Sequence, residues 1–285
     1  MRISVIMPVY NAENTIESAI KSVIIQKSND IEFIVVDGAS TDRTISIINR
    51  YKNNIDYVIS EKDRGYADAL NKGISHAYGD YICMLAADDC FFPDAFENFL
   101  QSVKPETDVW CGGIILKKKY GYFYGYSDPD LAKLYKRCFL WHPATFFNKD
   151  VFSKFGGYDI SYKVVADWEL FLRLYTNGVK FQVEKTLITL FNDGGLSSFN
   201  HQDEIIRVMK KYCKPNLKVT NLKTMLDNEY CHNSKKDRLK TILYRLGLLN
   251  IVYKLLKKDN TYLSPQEAKQ IKEVYHNIIS GTSFS

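Results

Sequence analysis

Ile3-Ser-Val-Ile-Met-Pro-Val-Tyr10 and Ile31-Glu-Phe-Ile-Val-Val36, the latter closed by Asp37-Gly38, are two short apolar runs with a helical pattern between them. Runs of this length bounded by turn residues read as buried strands. Between them Asn11 is suited to cap a helix whose apolar positions Ile16, Ala19, Ile20 and Val23 recur at helical spacing. The alternation continues outward. Ser40 or Thr41 opens a helix carrying Ile45, Ile47 and Ile48; Asp56–Ser60 is a third strand, Ala67–Ala77 a helix stopped by Gly79, and Asp80–Leu85 a fourth strand. Pro93, well placed in a first turn, starts a helix through Phe96 and Leu100. Strands alternating with helices predict an α/β fold with right-handed crossovers and a mostly parallel central sheet flanked by helices.

Open sheets of this kind bind ligands beyond the carboxyl ends of their strands. That rule makes Tyr10, Asp37, Ser60-Glu61 and Asp88-Asp89 neighbours in space, and three of the four strand ends deliver a carboxylate. An Asp after a strand is also ordinary turn chemistry; the convergence is what points to a site. Neither G-x-x-x-x-G-K-[ST] nor a strand followed by G-x-G-x-x-G occurs, which argues against a P-loop ATPase or a dinucleotide-dependent dehydrogenase. Carboxylates at strand ends facing a phosphorylated ligand imply a divalent cation between the two.

From residue 108 the pattern changes. Asp108–Leu116 and Trp141–Phe147 read as strands, with the aromatic stretch Tyr120–Tyr126 between them. Asp150–Phe155 reads as a short helix, Asp167–Thr176 as a helix closed by Gly178, and Val179–Val183 and Thr186–Phe191 as strands. From His201 onward helical patterns dominate, giving a helical C-terminal extension.

The chain has 285 residues, 46% hydrophobic and 25% charged, with a net charge of +5. That composition excludes an intrinsically disordered chain, and the charge is too mild to mark a nucleic-acid binder, so no nucleic-acid partner is expected. The charge is unevenly spread: residues 201–285 hold 16 Lys+Arg against 8 Asp+Glu. Cys83, Cys90, Cys111, Cys138, Cys213 and Cys231 show no C-x-x-C pair or zinc spacing, which fits reduced thiols and a cytoplasmic setting. Met1–Tyr10 lacks the features of a signal peptide, and no apolar run reaches the length of a membrane span.

Six segments in register resemble glycosyltransferase family 2, the inverting enzymes with a GT-A fold. They are Ser4–Glu13, Glu32–Thr44, Ser60–Gly73, Gly79–Asp89, His142–Phe147 with Phe155–Asp159, and Ala166–Arg173. The resemblance spans roughly residues 3–195 and is most similar to the branch that builds bacterial capsule, colanic acid and lipopolysaccharide outer-core polymers. It implies a catalytic unit over residues 1–200, with a Rossmann-like nucleotide-binding half (1–107) and an acceptor-binding half (108–200), followed by a basic helical region over 201–285.

The resemblance also implies roles. A nucleotide-sugar donor, expected to be a UDP-sugar, would meet Pro8, Val9, Tyr10, Glu13, Asp37, Arg64, Asp88 and Asp89, with Asp37 reading the base. Asp89 would ligate a divalent cation, Mn²⁺ or Mg²⁺, and Asp88 would touch the ribose or a metal-bound water. Positions 86 and 87 are both Ala, so the fuller D-x-D form of the acidic motif is absent. Asp167 would be the general base toward a glycan or lipid-linked glycan acceptor, with Ala166 where the family usually has an acid. His142 and Trp168 are candidates on the acceptor side, Trp168 by stacking on a sugar; each is equally readable as a structural residue. Phe123, Tyr124 and Tyr126 would line the acceptor cleft, and Asp193–Ser198 is similar to the family's flexible glycine segment. Two other readings stay open: a sugar-nucleotide-binding scaffold without turnover, and a nucleotidyltransferase, although no glycine-rich basic loop follows the first strand.

Arg238–Lys258 combines a broad apolar face with flanking lysines, a pattern suited either to peripheral contact with an anionic membrane leaflet or to packing on the catalytic unit. Membrane contact predicts flotation with anionic vesicles at low salt, lost on charge reversal at Lys254, Lys257 and Lys258; absence of wild-type flotation excludes it.

Overall fold

The computed structural model of the chain describes residues 1–118, 121–194, 201–212 and 263–280. Its first half consists of β1 (Ile3–Val9), α1 (Ile16–Ile24), β2 (Ile31–Asp37), α2 (Thr44–Arg50), β3 (Tyr57–Ser60), α3 (Tyr66–His76) and β4 (Tyr81–Met84). β1 pairs in parallel with β2 and β4, and β2 pairs in parallel with β3. Every residue of β1, β2 and β4 is buried. Helices cover both faces, so these strands carry no polar face and appear in the sequence as unbroken apolar runs. The register sets Val9 opposite Asp37 and Asp37 opposite Ser60, which gathers three strand ends along one edge.

The second half adds β5 (Cys90–Phe91), α4 (Ala95–Ser102), β6 (Val109–Lys118), β7 (Gly121–Tyr126), β8 (Thr145–Asn148), α5 (Lys149–Phe155), α6 (Ala166–Thr176), β9 (Phe181–Asn192), α7 (Gln202–Tyr212) and α8 (Pro265–Ser280). Among the described residues the strands form one nine-stranded sheet in the order β3-β2-β1-β4-β8-β6-β9-β5, with β7 beside β6. The parallel arrangement holds through β4. Beyond it the sheet is mixed: β8 runs antiparallel to β4 and β6, β7 to β6, and β5 to β9, while β6 and β9 are parallel. No helix intervenes between β6 and β7, and so short a connection joins only antiparallel neighbours.

Three local expectations are corrected. The strand expected from Trp141 begins only at Thr145, because His142-Pro143-Ala144 forms a 3-10 turn with Pro in its first turn. The two strands expected over 179–191 are one strand, β9, whose pairing with β6 shifts register around Cys111–Ile114. Gly112 and Gly113 occupy that irregularity, where a Cβ on Gly112 would stand 2.8 Å from both Trp110 and Ile188. Asn11 does not cap α1, and neither Ser40 nor Thr41 caps α2. Asn11, at φ 48°, instead accepts the Thr41 N–H at 2.8 Å while its own N–H donates to Ser40 Oγ at 2.8 Å. The two loops are thus stitched to each other.

Two apolar layers sandwich the sheet. One joins Ile6, Ile34 and Ile82 to α3, α5, α6 and α7; the other joins Val5, Phe33 and Phe146 to α1, α2 and α4. In the second layer Phe99 and Phe146 stack at 4.0 Å between centroids, and Trp110 meets both edge-on. α8 closes a third cluster, in which Leu263 and Ala268 pack on Ile115, Tyr122 and Leu190. Cys83, Cys90, Cys111 and Cys138 are free thiols, whereas Cys213 and Cys231 lie outside the described residues. Arg238–Lys258 also lies outside them. Among the described residues no helix is long and apolar enough to cross a membrane.

Removing a ring from the stacked aromatic layer leaves a cavity that rigid neighbours cannot refill. Phe146→Ala is therefore expected to cost about 3–5 kcal/mol, read as a lower urea midpoint with an unchanged m-value.

Candidate active site

The residues expected to meet a donor lie at the ends of β1, β2 and β3 and just beyond them. Asp37, the last residue of β2, is fully buried. Its carboxylate accepts the Ser40 N–H (3.1 and 3.2 Å to its two oxygens) and the Ser60 hydroxyl at 2.8 Å. A carboxylate has about four lone-pair sites, so acceptor capacity remains for a ligand. Pro8 and Val9 are buried at the end of β1, and the Val9 carbonyl accepts the Gly38 N–H at 2.9 Å. Tyr10, one residue on, is 63% exposed at the mouth of this edge and belongs to no core cluster. Glu13 accepts both the backbone N–H and the side-chain Nε of Arg43 at 3.1 Å, which hold its carboxyl below the usual range. Arg64 is exposed and paired with Asp68 at 2.7 Å, an i,i+4 pair on the approach to α3.

Asp88 and Asp89 follow β4. Asp89 is 1% exposed; its Oδ1 accepts the Asn192 N–H at 2.8 Å, and its Oδ2 is buried without a hydrogen-bond partner. Burial, then the neighbouring Asp88 charge, push its carboxyl well above the usual carboxylate range, with the Asn192 bond pulling the other way. Burial also raises half-buried Asp88. Asn192 holds the pair a second time, its side-chain amide donating to the Asp88 carbonyl. Its place at the end of β9, 103 residues from Asp89, left no local signal in the sequence.

An orphaned, dehydrated carboxylate oxygen is an expensive feature unless something positive meets it. Asp89 with Asp88 therefore fits a hard divalent cation that takes few protein oxygens and completes its shell with phosphate and water. Among the described residues no group of three or more His, Cys, Asp or Glu is placed to hold a metal ion.

Asp167 is the second residue of α6, and its Oδ1 accepts the adjacent Trp168 N–H at 2.7 Å. Burial pushes its carboxyl up to about 6, against the pull of backbone N–H groups and the His201 charge. Tyr66, the first residue of α3, ties the two acidic positions together. Burial raises its phenol first, and then the charges of Asp89, Asp167 and Asp88 raise it further. One side chain thus feels all three carboxylates. Cys138 and Tyr158 also face Asp167 and are likewise held protonated, chiefly by burial.

For two acceptor-side candidates, the burial and bonds fit the structural reading that stood beside the acceptor role. Trp168 is 2% exposed, packs in the core and donates its indole N–H to the Leu134 carbonyl at 2.8 Å, so it has no face free for a sugar. His142 is 7% exposed, its Nε2 bonded to Tyr158 Oη at 2.6 Å and its ring edge-on to Tyr66 at 6.4 Å. Burial pushes its imidazole down to about 4, so it is neutral at pH 7 and carries no charge toward a diphosphate. It supports Tyr66 from behind. Phe123 is buried, and Tyr124, stacked on Tyr126, meets Glu267 of α8 at 3.3 Å. Of the glycine segment only Asp193 and Gly194 are described.

Residues 4–157 match the model of Glycosyl transferase family 2. A PGL/p-HBAD biosynthesis glycosyltransferase of Mycobacterium bovis (strain BCG) is 29% identical over 204 residues, covering 68% of this chain and 78% of that protein. S. aureus TarS 1–349 in complex with UDP-GlcNAc superposes with a TM-score of 0.63 at 16% identity, over 98% of this chain and 82% of the other. The mannosyltransferase PcManGT of Pyrobaculum calidifontis, in complex with GDP-Man and Mn²⁺, gives 0.56 at 16% identity, over 97% and 80%. These likenesses show the fold, a GT-A-type mixed sheet flanked by helices. The chain belongs to glycosyl transferase family 2 and is a glycosyltransferase.

Proposed function

We propose that the protein is an inverting, metal-dependent enzyme that moves one sugar from a UDP-sugar to a hydroxyl of a glycan or lipid-linked glycan in bacterial surface-polysaccharide synthesis. The observation that carries this reading is Asp89 Oδ2, buried after β4 without a hydrogen-bond partner; the charges of Asp88, Asp89 and Asp167, all of which act on the Tyr66 phenol, support it. The UDP-GlcNAc held by TarS, the GDP-Man and Mn²⁺ held by PcManGT, and the biosynthetic name of the mycobacterial relative support it.

In this reading Asp37 accepts the ring N–H of the base, a charge-assisted bond worth roughly 1.5–3 kcal/mol. Pro8, Val9, Tyr10 and Glu13 wall the nucleoside, and Arg64 swings from Asp68 to the nucleotide. Asp89 Oδ2 would hold a Mn²⁺ or Mg²⁺ ion, with Asp88 on the ribose or a metal-bound water, and when bound the ion would offset the charge of the diphosphate leaving group. Asp167 takes the acceptor's hydroxyl proton as that oxygen bonds the anomeric carbon and the carbon–diphosphate bond breaks on the opposite face. Its raised pKa suits a base that works near neutrality and returns the proton easily. The catalytic unit is residues 1–200, with its nucleotide-binding half over 1–107 and acceptor-binding half over 108–200. The stretch Arg238–Lys258, with its flanking lysines, would give the enzyme peripheral contact with an anionic membrane on the cytoplasmic side or pack on the catalytic unit, and the vesicle flotation test separates the two.

Asp167→Asn is expected to lower kcat by about 10²–10⁴-fold with little change in donor KM. In the wild type, log kcat should climb with pH and level off above about 6, the value to which burial pushes Asp167. A flat profile from pH 5 to 8, or a fully active Asn variant, removes Asp167 as the base; donor binding without any turnover would favour a scaffold.

A thermal-shift screen of UDP-, GDP- and dTDP-sugars with Mn²⁺ or Mg²⁺ tests the donor side, since a ligand of the native state raises its melting temperature. Asp37→Ala should erase the preferred nucleotide's shift. Asp89→Asn should lose the metal-dependent part while leaving the ligand-free protein at least as stable in urea at pH 7, because a buried carboxylate with an orphan oxygen has been removed.

A further inference from the structure

α6 begins at Ala166 behind an N-cap, Val165, that offers no side chain to the free N–H groups there. The N–H of Val165 itself, together with those of the two residues before it, finds its acceptor on a helix outside the proposed 1–200 unit. Glu204, in the first turn of α7, accepts the Lys163 N–H at 2.8 Å through Oε1, and the Val164 and Val165 N–H groups at 2.9 and 3.2 Å through Oε2. Burial pushes this carboxyl up, but the three backbone donors and Arg207 outweigh it and hold it below the usual range.

Two further attachments flank that one. The Arg207 guanidinium lies 4.2 Å over the Tyr162 ring and bonds Ser161 Oγ at 3.0 Å. At the other end of α7, Lys211 (2.8 Å) and Tyr212 bond Glu169, a fully buried residue of α6 that Arg173 also pairs with at 2.9 Å. Arg173 in turn donates to the carbonyls of Phe155, Gly156 and Gly157. α7 therefore grips the chain at 161–162, 163–165 and 169, and Asp167 sits inside that span.

We infer that Glu204 is a positioning residue for Asp167, and that α7 is part of the catalytic apparatus. This rests on Asp167 being the base. The carboxylate of Glu204 fixes the three residues that lead into α6, and with them the direction in which Asp167 leaves the helix. Such placement matters because an offset of about 1 Å at a reacting group can cost about 10²-fold in rate. Glu204 touches neither donor nor acceptor in this scheme, so its removal should spare nucleotide binding.

The test compares Glu204→Ala, Glu204→Gln, Val208→Ala and Asp167→Asn with the wild type. Val208 is buried on the same helix and packs in the core without touching residues 161–169 through a polar bond. It thus reports what a loss of apolar packing does while the polar bonds from α7 to residues 161–169 are kept. Hydrolysis of UDP-N-acetylglucosamine with Mn²⁺ is followed with water as acceptor, and hydrogen exchange is measured over peptides spanning 161–169. Glu204→Ala should lower kcat by about 10–100-fold with donor KM within about twofold, and Glu204→Gln, which keeps one acceptor oxygen, should lose less. The same peptides should exchange about tenfold faster or more in Glu204→Ala, and near the wild-type rate in Val208→Ala. Unchanged exchange over 161–169 in Glu204→Ala overturns the inference whether or not this donor is turned over. Wild-type kcat in that variant, or an equal loss in Val208→Ala, overturns it too. An inert Asp167→Asn beside an active Glu204→Ala fails the positioning role alone, whereas an active Asp167→Asn fails the base assignment beneath it.

Discussion

The cost of burying carboxylates is the constraint on which the rest of this molecule depends. Asp88 and Asp89, after β4, and Asp167, at the start of α6, are each raised by burial, and the Tyr66 phenol is raised by burial and then by the charges of all three. No folding advantage explains such an arrangement, since desolvated carboxylates cost free energy unless paired. The rest of the fold holds them there. The parallel strands bring their carboxyl ends to one edge, Asn192 clamps the 88–89 backbone from β9, and two apolar layers supply the stability that the crevice consumes. In the proposed function a divalent cation would relieve that cost.

The first half of the fold was legible because its strands are buried on both faces and its connections are regular. Apolar runs and turn residues then carry the whole message. The second half was less so, because antiparallel pairing, a bulge at two glycines and a proline turn before β8 depend on partners far away in sequence. For the candidate site, Asp37, Asp88, Asp89 and Asp167 could be proposed from strand ends and motif resemblance. Asn192 and Glu204 could not, since each acts through backbone groups some 40 to 100 residues distant. Trp168 illustrates the opposite error. Consecutive helical residues point about 100° apart, so when Asp167 faces the crevice its neighbour turns into the core, however suitable an indole is for a sugar.

The C-terminal region departs most from its composition. A surplus of lysine and arginine suggests a solvated or membrane-facing surface, yet both of its described helices are amphipathic and packed on the sheet's helical layers. α7 contributes Ile205, Val208 and Met209 to the first core, and α8 is set by Ser264 and Glu267, which cap each other, with Tyr275 under the Lys117 ammonium. Charge counts describe what a segment shows to water, and apolar spacing describes what it hides.

The stitch between Asn11 and residues 40–41 carries a consequence for redesign. Each loop supplies what the other lacks: an amide oxygen for the Thr41 N–H, and a hydroxyl for the Asn11 N–H. Neither is a separable module. Transplanting one of them from a homologue to alter nucleotide preference would strand donors and acceptors on the loop left behind, so the pair must be exchanged as a single cassette.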